Sequence, residues 1–473
     1  MNLLKNIKMK KDLNLFFSAS KVVIFGLSPN PENLARNIII NSKRWNYSGK
    51  LFGVSPTPGE NQGIKIYTNL SQIPEKPELA LVFTKANLVP NILLECADFG
   101  IRHIAVSSAG FEETNKPEGI ELAHKIKTIC KEKGLYLVGP NGIATANTQN
   151  GLCLSFMPLE PSAKGNIAFI TQSGGIGTSL AVKMASESFP LGKFVSLGNK
   201  TVLDEVDFLD YFINDAETKV ICAFLEDLRR GREFLEVASH SQKPIIVYKA
   251  NITPYGEKTA SSHTASLSND DQVLEGAFNQ VGIIRARSLA ELLNSARGFT
   301  LPPIKGNRLL IISPSGGLSV ILADLSWKYG FELPPLPEHL VEKYSQKRRA
   351  GIIELQNPLD LGDLYSAELQ KNFIRELLLT DDFDAMVMAY IYRDPEILKF
   401  YQTLNQLQRD LVKEFNETIE LTQKPTACIL AMPTRSKEPI LKKSKYHIFD
   451  NPEDAMLALA TLRNFYQKQN PKS

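Results

Sequence analysis

The sequence predicts an α/β protein made of three doubly wound, mostly parallel sheets. Three observations carry this. Residues 21–145 alternate short β-rich runs with amphipathic helical stretches. A strand, a Ser-Gly-Gly turn and a helix of small residues then occur twice, and the 473-residue length exceeds what one hydrophobic core usually serves.

The first region contains KVVIFG (21–26), LFGVSP (51–56), LALVFT (79–84), HIAVSS (103–108) and LYLVGPN (135–141), each ending at Gly, Pro, Ser, Thr or Asn. Between them, NLVPNILLECADFG (87–100) and GIELAHKIKTICKEKG (119–134) carry apolar residues at helical spacing. Strand, turn and helix in repetition give a parallel sheet, and such sheets bind small molecules at the carboxyl ends of their strands. The polar turn residues fall at those ends.

After PLEPSAKG (158–165), GNIAFITQSGGIGTSLA (165–181) is echoed by GNRLLIISPSGGLSVILA (306–323). TKVICAFLED (218–227) matches FDAMVMAYIYRD (383–394), and KPIIVYKAN (243–251) matches KPTACILAM (424–432). One αβ module is therefore used twice, with LPPIKG (301–306) between the copies, so the expected domains are 1–145, 146–300 and 301–473. Features the copies share serve the fold, and features of one copy need another reason. TASSHTASLSND (259–270) and Glu226 belong to the first copy alone, with Tyr392 or a neighbour standing where Glu226 would be.

Composition excludes several classes. With 43% apolar and 22% charged residues the chain is an ordinary globular one, and a net charge of +3 gives no footprint for nucleic acid. The five cysteines are scattered without a CxxC, which argues against disulfides and zinc and for a reducing compartment. Asp12 and Asn14 break the apolar pieces of the N-terminus before a signal core can form, and no run is long enough to span a membrane. A cytoplasmic protein with no metal site of its own is expected. No GxxxxGK[ST], HExxH or GxSxG is present.

In ITQSGGIGTSLA (170–181), Gly174 and Gly175 let the chain turn tightly from strand to helix, leaving N–H groups and the positive end of the helix dipole beside Ser173. Phosphate suits that place. A plain Ser cap with glycines for close packing is the reading for the second copy, at 314–317. GLSPNPE (26–32) follows the first strand but lacks GxGxxG, which disfavours NAD and FAD while leaving room for another phosphate-bearing ligand. SSAGF (107–111) and GPNG (139–142) offer backbone N–H groups to a long polar chain, although each also reads as an ordinary loop.

His263 could pack, hold a loop or react. Its flanks, Ser261, Ser262, Thr264 and Ser266, form strands and helices poorly, so a loop is expected, and Glu226 closes a strand of the same sheet. Imidazole is nucleophilic near neutral pH, and a carboxylate on its second nitrogen would fix the tautomer and stabilise the imidazolium. A phosphohistidine fits these parts. Helix N–H groups would hold the phosphoryl oxygens, Glu226 would orient the ring and His263 would accept the group.

With VVIFGLSPNP, SAGF, GPN, ITQSGGIGTSL, VSLGNKTVLDEVDFLDYF, FLEDLRRGREF, SSHTASL and NPLDLGD together, nearly the whole chain resembles the α subunit of NDP-forming acyl-CoA synthetases, the ADP-forming acetate–CoA ligases, and more distantly that of succinyl-CoA synthetase. The resemblance implies a Rossmann-like CoA-binding domain followed by two flavodoxin-like domains of the succinyl-CoA synthetase type. It implies a reversible reaction in which acyl-CoA, orthophosphate and ADP give acid, CoA and ATP through an acyl phosphate and a phosphohistidine on a swinging loop. His263 and Glu226 align with the phosphorylated histidine and its orienting acid. Gly26, Ser28 and Pro31 match the phosphate-facing loop, Ser108, Ala109 and Gly110 the SAGF turn, and Pro140 and Asn141 the GPN turn, while Pro56 and Lys85 complete the expected CoA set. ADP or ATP with magnesium is expected on a separate ATP-grasp β subunit, in a hetero-oligomer.

Two stretches depart from the family pattern. GPNGIA stands for GPNCLG, with Gly142 in place of a cysteine near the expected thiol end, and SHTASLSN stands for SHTGSLAG, with Ala265, Ser268 and Asn269 changed. Ala for Gly removes backbone freedom from a loop that must swing. These departures frame an alternative, a non-catalytic CoA or acyl-CoA sensor that regulates or scaffolds a partner. An acyltransferase finds less support, since no acetyltransferase-like segment is seen.

Overall fold

A computed structural model of the chain describes residues 11–263, 270–313, 315–348, 351–361, 364, 366–391, 402–431 and 444–469, with the backbone alone at 260–263, 367, 391, 402–411 and 431. Contacts divide it into two units, Met1–Arg285 and Ala286–Ser473.

The N-terminal unit holds two seven-stranded sheets. The first contains β1 (Lys21–Phe25), β2 (Lys50–Val54), β3 (Gly59–Asn61), β4 (Ile64–Tyr67), β5 (Leu79–Val82), β6 (His103–Val106) and β7 (Tyr136–Val138), in the order β3-β4-β2-β1-β5-β6-β7. All neighbours are parallel except β3 with β4. Strands β5 and β6 are buried along their whole length, as central strands of a sheet covered on both faces must be. Helices Val89–Phe99 and Pro117–Lys133 occupy the two amphipathic stretches, each with a Pro in its first turn and a left-handed Gly, Gly100 or Gly134, at its end.

The second sheet contains β8 (Thr145–Asn147), β9 (Leu152–Cys153), β10 (Lys164–Thr171), β11 (Leu191–Ser196), β12 (Val220–Leu225), β13 (Ile245–Lys249) and β14 (Ile284–Ala286), in the order β14-β13-β12-β10-β11-β8-β9. Strands β10 to β13 pair in parallel, and β8 and β9 form an antiparallel edge. The short helix Leu15–Ser18 ties both sheets together. Its Phe16 packs on His103 of the first sheet, while Phe16 and Phe17 offer their carbonyls to Thr145 Oγ1 (2.7 Å) and Asn147 Nδ2 (3.0 Å) of the second.

Beyond β11 the chain runs back along the end of the first sheet, with N–H groups of Asn199, Thr201 and Leu203 donating to the carbonyls of Pro140, Gly139 and Leu137 at 2.9, 3.2 and 3.1 Å. Gly198 makes this approach possible. Its φ is +57°, and a Cβ there would stand 2.0 Å from the Pro140 carbonyl oxygen.

In the C-terminal unit, β15 (Leu309–Ile312), β16 (Ala385–Ile391), β17 (Thr426–Ala431) and β18 (Ile448–Phe449) form a parallel sheet in sequence order. Helix Leu289–Gly298 packs in this unit against helix Pro452–Gln469, where Gly298 lies against the Ala458 backbone. The duplication is visible in the topology, since β10, β12 and β13 neighbour one another in the same order as β15, β16 and β17. The doubly wound α/β class expected from the sequence is the one observed.

Two expectations are revised. The antiparallel hairpin β3–β4 is an edge addition that the alternation of strands and helices did not announce. Residues 259–263 are not loop but the last part of helix Pro254–His263, begun by a Pro at its first position and supported by Thr259 Oγ1 donating to the Tyr255 carbonyl at 3.0 Å. Residues 264–269 and Tyr392 lie outside the described residues. All five cysteines are buried and unbridged, and among the described residues no helix is long and apolar enough to cross a membrane.

Replacing Gly198 with Ala is expected to lower the stability of the N-terminal unit by about 1–3 kcal/mol, through the left-handed φ and the carbonyl clash together. Denaturant unfolding followed by Trp45 fluorescence measures it.

Candidate functional site

The turns at the carboxyl ends of the first sheet carry most of the expected CoA residues. Gly26 leaves β1 with φ +93°, its N–H on the Val54 carbonyl at 3.0 Å and its carbonyl receiving Asn33 Nδ2 at 3.0 Å. Asn61 Nδ2 holds the Ser28 carbonyl at 2.7 Å, and Arg36 holds that of Pro31. Pro56 and Lys85 are exposed just beyond β2 and β5, and Ala109 is exposed beyond β6. Ser108 is buried, with its hydroxyl accepting from Thr84 N–H and its carbonyl from Asn141 N–H, both at 3.0 Å.

The SAGF turn differs from expectation. Its N–H groups are not open to a ligand, because the Glu113 carboxylate accepts from Gly110 (2.6 Å) and Phe111 (3.2 Å). The same carboxylate takes Asn199 Nδ2 at 2.5 Å, and Asn199 Oδ1 receives Asn141 Nδ2 at 3.3 Å. Asn199 therefore joins the SAGF and GPN turns to the loop after β11. Around the GPN turn, the hydroxyls of Ser107, Ser196 and Thr201 are buried without a hydrogen-bond partner, so polar capacity remains for a long polar ligand such as CoA.

The Ser-Gly-Gly turn meets the GPN turn. A Cβ on Gly174 would lie 3.8 Å from the Asn141 carbonyl oxygen and 3.9 Å from Gly142 Cα, which is van der Waals contact. Ser173 caps helix Gly174–Ser186 by accepting from Ile176 N–H at 3.4 Å, and Gly175 has open space where a side chain would be. In the second copy Ser315 makes no side-chain cap bond and, among the described residues, nothing lies within 4 Å of where a Cβ on Gly316 or Gly317 would be. The departure at Gly142 has a steric reason. A Cβ there would stand 2.7 Å from the Ser196 carbonyl oxygen and 3.1 Å from its hydroxyl, leaving no room for a cysteine on this backbone.

Glu226 and Asp227 follow β12 and are gripped from the other three strand ends. Gln172, after β10, accepts with one Oε1 from both N–H groups, at 2.9 and 3.1 Å. Lys200, after β11, bonds the Asp227 carboxylate and donates to its carbonyl at 3.2 Å, with Glu205 Oε2 at 3.0 Å on its other side. Lys249, at the end of β13, donates to the Glu226 carbonyl at 2.7 Å. Lys200 and Glu205 are completely buried. Burial raises the Asp227 carboxyl, but Lys200 beside it and then Arg229 outweigh that and hold it below the usual range. Glu205 goes the other way, because burial and then Asp204 outweigh its share of Lys200.

The structure thus brings together Ser173, Gly174, Gly175, Pro140, Asn141 and, through Gln172, Glu226. The backbone of His263 belongs to the helix that follows β13, and its side chain lies outside the described residues. Sequence reasoning missed Glu113, Gln172, Asn199, Lys200 and Lys249. The signal available for the lysines was a cation closing an apolar run in VSLGNK and VYKAN.

A Rossmann-type sheet with glycine turns at its strand ends, beside a flavodoxin-type sheet entered by a Ser-Gly-Gly turn, defines the class: a CoA-binding protein of the succinyl-CoA ligase type. A family described as CoA binding domain matches residues 20–148, and one described as succinyl-CoA ligase like flavodoxin domain matches 164–299. The chain is 31% identical over 457 residues to acetate–CoA ligase (ADP-forming) II subunit alpha of Pyrococcus furiosus, covering 95% of this chain and 97% of that one. It is 33% identical over 353 residues to acetate–CoA ligase (ADP-forming) II of Archaeoglobus fulgidus, covering 74% of this chain and 52% of that protein. The solved dinucleotide forming acetyl-coenzyme A synthetase 1 of Ca. Korarchaeum cryptofilum, in complex with phosphate and ADP, matches with a TM-score of 0.84 at 27% identity, over 97% of this chain and 99% of that one. The chain belongs to the α-subunit family of the ADP-forming acetate–CoA ligases.

Lys200→Met strands two buried carboxylates and is expected to cost about 3–5 kcal/mol at neutral pH. In the native chain the Asp227 contribution is present above its ordinary pKa and is lost as pH falls through its lowered folded value. The deficit of the variant should therefore shrink on acidification, where protonated carboxyls need no counter-charge, and unfolding measured across acidic and neutral pH tests this.

Proposed function

We propose that this chain, with an ATP-grasp partner that binds ADP or ATP with magnesium, interconverts a small acyl-CoA, orthophosphate and ADP with the free acid, CoA and ATP, through an acyl phosphate and a phosphohistidine on His263. The observation that carries it is the convergence of the GPN turn, the Ser-Gly-Gly turn and the Glu226 segment at one place. Acetate is the acid that the relatives' names suggest. A relative named as a subunit, and another of which this chain matches only about half, support a nucleotide-binding partner that is separate in some members and fused in others.

Coenzyme A, when bound, presents the acyl group as a thioester that orthophosphate can cleave. The chain's own residues do the rest. Gly26, Ser28, Pro31, Pro56, Lys85, Ser108, Ala109, Pro140 and Asn141 line the carboxyl edge of the first sheet and hold the polar chain, while Gly110, its N–H taken by Glu113, shapes the turn. The exposed N-terminus of helix Gly174–Ser186, with Ser173, Gly174 and Gly175, holds phosphoryl oxygens beside the GPN turn. An imidazole nitrogen of His263 forms the P–N bond as the acyl phosphate P–O bond breaks, and the electron pair leaves on the carboxylate. The Glu226 carboxylate orients the ring and balances the imidazolium. The two ligase-type modules, 146–300 and 301–473, then differ in role, with the chemistry in the first.

Labelled ATP, supplied with the partner chain, should give an acid-labile, base-stable phosphoprotein. His263→Asn should abolish the label, and Glu226→Gln should slow it on the order of 10²–10⁴-fold, as when a carboxylate that orients a catalytic imidazole is replaced by an amide. Label retained in His263→Asn would overturn the assignment.

A further inference from the structure

Lys249 closes the otherwise apolar strand β13, is 1% exposed, and among the described residues has no carboxylate within hydrogen-bonding reach. Its ammonium instead donates to three backbone carbonyls: Glu226 at 2.7 Å, Ala250 at 2.6 Å and Asn251 at 3.4 Å. The first belongs to the acid-bearing segment after β12. The other two belong to the turn, with Asn251 at φ +58°, from which helix Pro254–His263 departs. One buried cation thus grips the root of both groups assigned to phosphoryl transfer.

The duplicated module shows that the fold does not ask for this lysine. The pairings Ile221 with Ile245 and Met386 with Thr426 set the two copies in register, and at the position of Lys249 the second copy has Leu430, also 1% exposed. An apolar residue therefore fills that place in the same architecture, and burying an ammonium there is an expense the sheet can avoid.

We propose that Lys249 is a positioning residue for phosphoryl transfer, fixing the Glu226 segment and the base of the His263 helix in one relation by holding their three carbonyls. This rests on the phosphohistidine reading above. Uncharged, the side chain would keep two N–H groups for three carbonyls and no charge, so the grip needs the proton. Burial pushes the Lys249 ammonium down to about 8, opposed first by Asp227 after β12 and later by Asp271 of helix Asp271–Gln280, and aided by Arg285 of β14 and Lys200 after β11. The grip should therefore loosen as pH rises through about 8. Its contribution to stability has the opposite sign: between about 8 and the ordinary 10.5 the unfolded chain keeps the proton and the folded chain does not, so stability from this group rises with pH. A lysine with a structural role alone would lower the labelling rate only where it lowers stability.

The test is the rate of His263 labelling from labelled ATP by the chain with its nucleotide-binding partner, from pH 6.5 to 9.5, alongside CoA affinity and thermal unfolding. Expected are a native labelling rate that falls through about pH 8 without a parallel fall in unfolding temperature, and a Lys249→Met chain that binds CoA normally but labels roughly 10²-fold more slowly, without that alkaline limb. Lys249→Arg, which keeps its charge, should restore part of the rate with a flat profile. If Lys249→Met does not fold, the native profile with its stability curve decides. Native-like labelling in Lys249→Met, or a native rate that tracks unfolding at every pH, would overturn the proposal while leaving the phosphohistidine in place. A native chain that takes no label at all would remove both.

Discussion

The arrangement depends on one buried ammonium. Lys200 is completely enclosed, with Glu205 and Asp227 against it, and three charges taken from water together cost several kcal/mol per ion unless each finds partners. That requirement binds the end of β11 to the end of β12 and to helix Glu205–Asn214. Once Asp227 is anchored, its neighbour Glu226 cannot move independently, and Gln172 and Lys249 close the same segment from β10 and β13. A polar seam therefore crosses the carboxyl edge of an otherwise apolar sheet. Asn199, one residue before Lys200, carries it to the first sheet through Glu113 and Asn141. The turns expected to hold CoA and the turn expected to hold phosphate are parts of one hydrogen-bonded assembly.

The second copy of the module differs from the first at two described places along this seam. It reproduces the strand order and the strand–turn–helix entry, yet Ser315 makes no cap bond, and Leu430 fills the place of Lys249. At that position apolar burial suffices, at about 25 cal/mol for each Å² removed from water. Lys249 therefore adds a desolvation cost that this place in the fold does not require. Such costs persist where geometry must be held for chemistry.

Much of the fold was legible in the sequence. Runs such as KVVIFG and LALVFT are apolar because parallel strands are covered on both faces, and the duplicated strand and Ser-Gly-Gly turn marked the repeated module. The hairpin β3–β4 was not, because strands of three and four residues at an exposed edge leave no periodicity to read. Of the site, the glycine turns and Glu226 were readable from their places at strand ends. Lys200, Lys249 and Glu113 were not, since a lone charge in a sequence reads as solvent-facing, and only three-dimensional closure brings Asp227 to Lys200, the Glu226 carbonyl to Lys249 and the Asn199 side chain to Glu113. The helical state of 259–263 was hidden for a related reason: small hydroxyl residues form helices weakly by themselves, and the helix is started by Pro254 upstream.

Under the proposed chemistry, the contact between Gly174 and the GPN turn has a further consequence. The acyl phosphate can be formed and held in one place, because the turns assigned to thioester and phosphate are neighbours, close enough that a Cβ on Gly174 would touch the GPN turn, and a side chain at 142 would collide with Ser196. Glu226 is equally fixed, by bonds to its N–H and its carbonyl. Carrying the phosphoryl group to a nucleotide then falls to His263 alone, and any displacement has to be taken up beyond the turn that Lys249 holds, at or after helix Pro254–His263. Ala265, in place of the family's glycine, follows His263 by two residues in the sequence, so lost backbone freedom there would bear on the histidine's movement and not on the pocket that loads it.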